Sequence, residues 1–236
     1  MINKQVASLG EALDGVHDGA VVMISGFGPP GQPKKLIEGL LEREVRDLTV
    51  VNNNAGAGGE AIGKLFAERR VRKVVCSFPK APGSTVFDEL YRAGQIDLEL
   101  VPQGTLAERI RAAGAGIPAF YTRTAVGTEL AAGKPIEVFD GKEYVLEKAL
   151  HADFALVKAH CADTWGNLIF QKTARNFGPV MLPAARVAIV ESESVVPLGT
   201  LDPEMVVTPS LYVDRVLDLS AYDKAAEQTE KAGAEV

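Results

Sequence analysis

The sequence predicts an α/β protein: an open, mostly parallel sheet flanked by helices, with a less regular, partly antiparallel second half. Three observations carry this reading. Short apolar runs rich in Val, Ile and Leu recur at 20–24, 48–51, 73–76 and 98–101, as in strands covered on both faces. Helical stretches at 34–43, 60–69, 86–93 and 106–113 separate them, which is the alternation of parallel crossover units. Beyond residue 115 the alternation stops, because Ala115-Gly116-Ile117-Pro118 and the stretch 127–135 break it.

Taken in order, the elements have recognisable start signals. Ser8-Leu9-Gly10-Glu11 has the S/T-x-x-E spacing in which a hydroxyl and a carboxylate satisfy the free amides of a helix start. The strand 20–24 runs into Gly26-Phe27-Gly28-Pro29-Pro30-Gly31, and Pro33 then suits a first helical turn, where its missing N–H costs nothing. The strand 48–51 ends in Asn52-Asn53-Asn54, and the strand 98–101 leads to Gln103 at its C-terminal end. Thr105-Leu106-Ala107-Glu108 repeats the capping spacing before the fourth helix. Later strands are expected at 144–147, 154–159, 187–190 and 212–217, on the same sheet and without regular helices between them. No Ser- or Pro-rich linker intervenes, so residues 1–220 read as one domain and 221–236 as a polar tail, a frayed helix or disorder.

Composition narrows the function classes. The chain has 236 residues, 47% hydrophobic and 24% charged, the values of a packed globular domain with a sizeable core. It has no run of the roughly 20 apolar residues that a membrane span needs, and its first residues lack the apolar stretch of a signal peptide, so a cytoplasmic location is expected. Cys76 and Cys161 lie far apart with no CxxC and read as buried thiols. A net charge of −6 disfavours nucleic acid; the basic runs Lys34-Lys35 and 69–73 read as solvated faces, with contact to a phosphate the alternative for either. His17, His151 and His160 have no metal-ligand spacing, and no G-x-S-x-G anchors a hydrolase triad.

The loop after the first strand literally matches G-x-G-x-x-G in the context of a dinucleotide site. Two details oppose that reading. A pyrophosphate is held by backbone amides, and Pro29 and Pro30 have none to donate. The acidic residue expected at the end of the second strand is replaced by the Asn run. An alternative for the loop is a purely structural Gly/Pro turn.

The wider string 18–33, Asp18-Gly19, an apolar strand, Ser25-Gly26-Phe27, then Gly31-Gln32-Pro33, closely resembles the signature of class I CoA-transferase A subunits, with Ser25 where the first glycine is usual. The resemblance continues through Asn52-Asn53-Asn54-Ala55-Gly56, the block 101–120 beginning Val101-Pro102-Gln103-Gly104, and the strings 151–160 and 174–179, and covers residues 3–220. The last two strings otherwise read as a core strand and a turn. Strings 74–79 and 87–94 look more like the 3-oxoadipate branch of the family than the acetoacetate-using one.

That resemblance implies the fold shared with ribose-5-phosphate isomerase and glucosamine-phosphate deaminase, and a ping-pong transfer of CoA between carboxylic acids through a glutamyl thioester. It implies a loop of Ser25, Gly26, Phe27, Gly28, Pro29, Pro30 and Gly31 that serves CoA, and Asn53, Asn54, Gln103 and Gly104 as substrate contacts. Coenzyme A is then a substrate, with no prosthetic group and no metal. In two-subunit members the nucleophilic glutamate lies on the B subunit in a Ser-Glu-Asn-Gly setting. Here Glu191-Ser192-Glu193-Ser194 is the nearest string and does not match, and Glu60 reads as a helix-start residue. No catalytic residue is therefore expected in this chain, and a B subunit is expected as partner, in a heterodimer or an A2B2 tetramer. Arg109 and Arg111 are expected in ion pairs with Glu108 or a partner, and Lys80 or a partner residue against the distal carboxylate of a dicarboxylic substrate. The alternatives left open are an acetoacetate or other short-chain acid transferase, a sugar-phosphate isomerase, and a non-enzymatic ligand-binding protein of the same fold.

Overall fold

The computed structural model describes residues 2–56, 59, 61–80 and 83–223. The first half alternates as the sequence predicts: β1 (Gln5–Val6), α1 (Leu9–Ala12), β2 (Val21–Ile24), α2 (Lys34–Glu42), β3 (Leu48–Val51), α3 (Ile62–Ala67), β4 (Val71–Cys76), α4 (Val86–Arg92), β5 (Asp97–Leu100) and α5 (Gln103–Gly114). Then follow β6 (Ala119–Thr122), β7 (Ile136–Phe139), β8 (Lys142–Lys148), β9 (Ala152–Asp163), β10 (Leu168–Ile169), α6 (Gly178–Met181), β11 (Ala185–Val196) and β12 (Arg215–Asp218).

The main sheet has the order β1-β12-β11-β9-β2-β3-β4-β5, with the short β10 antiparallel on β9 and every other pairing parallel. From β2 the chain winds outward through β3, β4 and β5. From β9 it winds the other way through β11 and β12. The junction of β2 and β9 is thus a topological switch point, where loops leaving two neighbouring strands part and open a crevice at their C-terminal ends.

The core lies on both faces of this sheet. Val22 and Ile24 of β2 join Leu13, Leu36, Leu40 and Phe66 in one buried cluster, while Met23 joins Leu106, Ile110 and Met181 in the other. Alternate residues of one strand thus feed opposite layers, which is why β2 reads as an unbroken apolar run. Burying a side chain such as Leu36 or Ile110 stabilises the fold by about 1.5–3 kcal/mol each.

Several expectations are corrected. Apart from the short β10, the antiparallel part does not lie on the main sheet: β6, β8 and β7 form a separate three-stranded sheet that includes residues 144–147. Arg109 on α5 joins the two sheets, with Nη1 on Glu99 Oε1 at 2.8 Å and Nε on the Lys148 carbonyl at 2.8 Å. It is Arg111 that pairs with Glu108, at 2.7 Å. The strand expected at 212–217 begins at Arg215, since Ser210–Tyr212 is a 3-10 turn after Pro209.

The capping spacings split. Ser8 caps α1, its hydroxyl accepting from Glu11 N at 3.1 Å while Glu11 Oε2 accepts from Ala7 N at 2.8 Å. Thr105 instead sits inside α5, which starts two residues earlier at Gln103 behind Pro102, and its buried hydroxyl has no protein partner. Gln103 is therefore a helix residue rather than the end of a strand. Cys76 is fully buried and Cys161 half-buried, and burial pushes the Cys76 thiol up to about 12.

Candidate substrate site at the switch point

The loop between β2 and α2 is held from three directions. Ser25 is fully buried; its hydroxyl donates to the Gly31 carbonyl at 2.6 Å and accepts from Lys158 N at 3.1 Å, so the two ends of the loop and β9 are stapled together. Ser25 is not among the residues with positive φ, so serine costs nothing where a glycine is usual. Gly26 and Gly31 do need to be glycine. Both have positive φ, and a Cβ would meet Gln32 Cγ at 2.5 Å and the Ala174 carbonyl at 2.4 Å respectively.

Asn176 latches the loop from the other side. Its Oδ1 accepts from Gly26 N at 3.0 Å and its Nδ2 donates to the Pro30 carbonyl at 3.1 Å. Gly28 N donates to Asn54 Oδ1 at 3.4 Å and Phe27 N to the Pro30 carbonyl at 3.2 Å. The amides of Gly26, Phe27 and Gly28 are thereby engaged within the protein, and Pro29 and Pro30 have none. No amide cradle for a pyrophosphate forms here, which is the physical reason the glycine spacing is not a dinucleotide site. What the loop presents outward is Phe27, 50% exposed, with Pro29 and Pro30 beside it.

Next to it, the Asn run divides its work. Asn52 is fully buried and ties β3 to β2, Nδ2 donating to the Ile24 carbonyl at 2.6 Å and Oδ1 accepting from Asn54 N at 2.9 Å. Asn53 is buried too, so its Oδ1 orients neighbours: it accepts from Ser77 Oγ at 2.8 Å and from Gln103 Nε2 at 2.9 Å. Gln103 and Gly104 are exposed at the start of α5, and Asn54 is half-exposed. The structure thus brings Phe27, Pro29, Pro30, Asn54 and Gln103 to one end of the sheet, and makes Ser25, Gly26, Gly31 and Asn53 the frame behind them. Among the described residues Asn54 Nδ2 makes no bond and Gln103 keeps a second N–H, so both carboxamides retain uncharged donors.

On the β9 side of the loop a cleft of about 380 Å³ opens, walled by Pro29, Pro30, Lys34, Lys158, His160 and Glu193. Lys158 Nζ lies 3.2 Å from Glu193 Oε1, and His160 Nδ1 lies 2.8 Å from Glu193 Oε2. Burial pushes the Glu193 carboxyl up, but the bonds from His160 and Lys158 outweigh it and hold the group below its ordinary range. Beneath the cleft, Glu191 is buried, and its Oε2 accepts from Leu36 N at 3.0 Å in the first turn of α2. Burial pushes Glu191 up to about 7, against the pull of the helix amides and Lys158.

Sequence reasoning missed Asn176, Lys158, Glu191 and Glu193 as site residues. Lys158 and Asn176 stood within strings read as a strand and a turn, and Glu191 and Glu193 were weighed only as nucleophiles. Lys80 lies 3.9 Å from Asp88 on an exposed helix flank, away from the cleft lining. Glu60 lies outside the described residues. No group of three or more His, Cys, Asp or Glu able to hold a metal occurs among the described residues.

Fold and site together give a doubly wound sheet whose switch point brings uncharged donors beside a glycine-proline wall, an arrangement with the chemistry to take a ligand. Residues 6–219 match the family model for coenzyme A transferase, and the chain belongs to that family. It is 55% identical over 220 residues to the A subunit of 3-oxoadipate CoA-transferase from Pseudomonas putida, covering 93% of this chain and 95% of that protein. It is 50% identical over 226 residues to the A subunit of succinyl-CoA:3-ketoacid coenzyme A transferase from Xanthomonas campestris pv. campestris, covering 95% and 93%. The acyl-CoA transferase of Escherichia coli O157:H7 superposes with a TM-score of 0.80 at 23% identity over 92% of this chain. This chain spans 47% of that protein's length.

Proposed function

We propose that this chain is the A subunit of a succinyl-CoA:3-oxoacid CoA-transferase with 3-oxoadipate as acceptor. The observation that carries the reading is its higher identity to the 3-oxoadipate transferase chain than to the 3-ketoacid one, each matched along nearly its whole length. Coenzyme A thioester is a substrate, with no prosthetic group. Since both relatives are named as A subunits, the enzyme needs a second chain, a B subunit in a heterodimer or an A2B2 tetramer. The working location is the cytoplasm; among the described residues no helix is long and apolar enough to cross a membrane.

In this reading the acyl-CoA carbonyl is attacked by a glutamate carboxylate of the B subunit, which expels CoA thiolate and gives a mixed anhydride. The thiolate attacks the glutamyl carbonyl, the first acid leaves, and a glutamyl-CoA thioester remains. The second acid runs the same steps in reverse. Each tetrahedral oxyanion needs a preorganised donor, and Asn54 Nδ2 and the second N–H of Gln103 supply it from this chain. Ser77 orients the Asn53 carboxamide, whose Oδ1 in turn accepts from Gln103 and directs it before the step. Phe27, Pro29 and Pro30 shield one side of the thioester from water. The test is kcat/KM for 3-oxoadipate and acetoacetate with the reconstituted pair: preference for 3-oxoadipate is expected, and a strong preference for acetoacetate overturns the acceptor.

A further inference from the structure

The cleft on the β9 side of the loop is not used by the steps above, yet its lining is unlike the rest of the molecule. The chain has a net charge of −6, whereas the charged side chains lining this cleft are Lys34 and Lys158 against Glu193 alone, with His160 beside them. Glu193 holds Lys158 and His160 at 3.2 and 2.8 Å. Each spends one nitrogen donor there, so Lys158 retains two of its three N–H groups and His160 its other ring nitrogen. Phe170, Pro29 and Pro30 give the cleft apolar walls. Apolar walls with a few fixed cationic donors suit an anion on a short carbon chain, because the low-dielectric walls strengthen each charge-assisted bond.

Its position identifies the anion. Gly28 touches Asn54 on one flank of the loop, and the next two residues, Pro29 and Pro30, wall the cleft on the other. With successive Cα atoms about 3.8 Å apart, the cleft wall lies one to two residues, at most about 4–8 Å of backbone, from the residue bonded to Asn54. That is the reach of a short dicarboxylic acyl chain, one end of which is the thioester.

We infer that the cleft bounded by Lys158, His160 and Lys34 receives the distal carboxylate of a dicarboxylic acyl group, with Glu193 holding Lys158 and His160 in place when it is empty. Lys158 is then a specificity-determining residue, because a monocarboxylic 3-oxo acid has nothing to place there. The inference rests on the proposed CoA-transferase reading. A phosphate of CoA has the same anionic chemistry, and the test separates the two sources.

The experiment measures kcat/KM for 3-oxoadipate, succinate and acetoacetate separately with the pair reconstituted from wild-type, Lys158→Ala, Lys158→Arg or Glu193→Gln chains. In a ping-pong exchange kcat/KM of each acid reports its own half-reaction. Lys158→Ala is expected to lower the values for both dicarboxylates at least ten-fold more than that for acetoacetate, with Lys158→Arg recovering most of the difference. Glu193→Gln, which removes the competing carboxylate, is expected to lower KM for 3-oxoadipate. An equal loss for all three acids, accompanied by a raised KM for the CoA thioester, assigns the cleft to CoA phosphate and overturns the inference; so does an unchanged ratio in Glu193→Gln if Lys158→Ala fails to fold. Absence of any CoA transfer by the wild-type pair contradicts the proposed function itself.

Discussion

Asn176 fixes the loop with a single carboxamide, accepting from the buried Gly26 amide and donating to the Pro30 carbonyl. Truncation to alanine leaves the Gly26 amide unpaired inside the protein, which costs about 1–3 kcal/mol. Asn176→Ala should therefore lower the midpoint of denaturant unfolding and, in the reconstituted enzyme, raise KM for the CoA thioester more than it lowers kcat. Unchanged stability and KM together would remove the latch from the account. At this scale the sequence was partly legible. The strings single out Gly26, Gly31, Asn53 and Gln103 as candidates, because the backbone conformations and carboxamides they supply are specific to residue type. Which of them face outward was not, because burial of Ser25 and Asn53 depends on β9 and on Ser77, which are distant in sequence.

Helix α2 begins where the loop ends, and its entry is set by a residue 155 positions later. Pro33 at its N-cap offers no side-chain bond, and the Glu191 carboxylate on β11 takes the Leu36 amide instead. Burial raises the folded-state value of Glu191 to about 7 from an ordinary 4.5. The folded state then holds a proton that the unfolded state has lost, so this group's stabilising contribution is fully present below about pH 4 and is lost as pH rises to about 7. The loss is on the order of 3 kcal/mol. Glu191→Gln keeps an oxygen for the Leu36 amide but cannot ionise, so its stability relative to wild type should increase as pH rises from 4.5 to about 7; a difference that stays flat across that window contradicts the assignment. The elements of the first half were legible because apolar run, Gly/Pro turn and amphipathic helix repeat there at short range. The second half was less so: β6, β7 and β8 pair only with one another, and alternation alone does not say to which sheet a strand belongs.

For the molecule as a whole, the donors of this chain converge on one end of the sheet, and the proposed function takes the nucleophile for the exchange from the B subunit. In that proposal Gln103, Asn54 and the Phe27–proline wall make half of a site. That this half belongs to a CoA-transferase was readable from the strings around Gly26 and Gln103. The charged cleft beside it was not, since Lys158, His160 and Glu193 come together only through the parallel pairing of β9 with β11. The most direct test of the account is turnover of succinyl-CoA with 3-oxoadipate by this chain alone and after addition of a B subunit carrying a Ser-Glu-Asn-Gly segment. The account predicts no exchange by the isolated chain, a stable complex on mixing, and activity only in that complex. Sustained exchange by the isolated chain would contradict it.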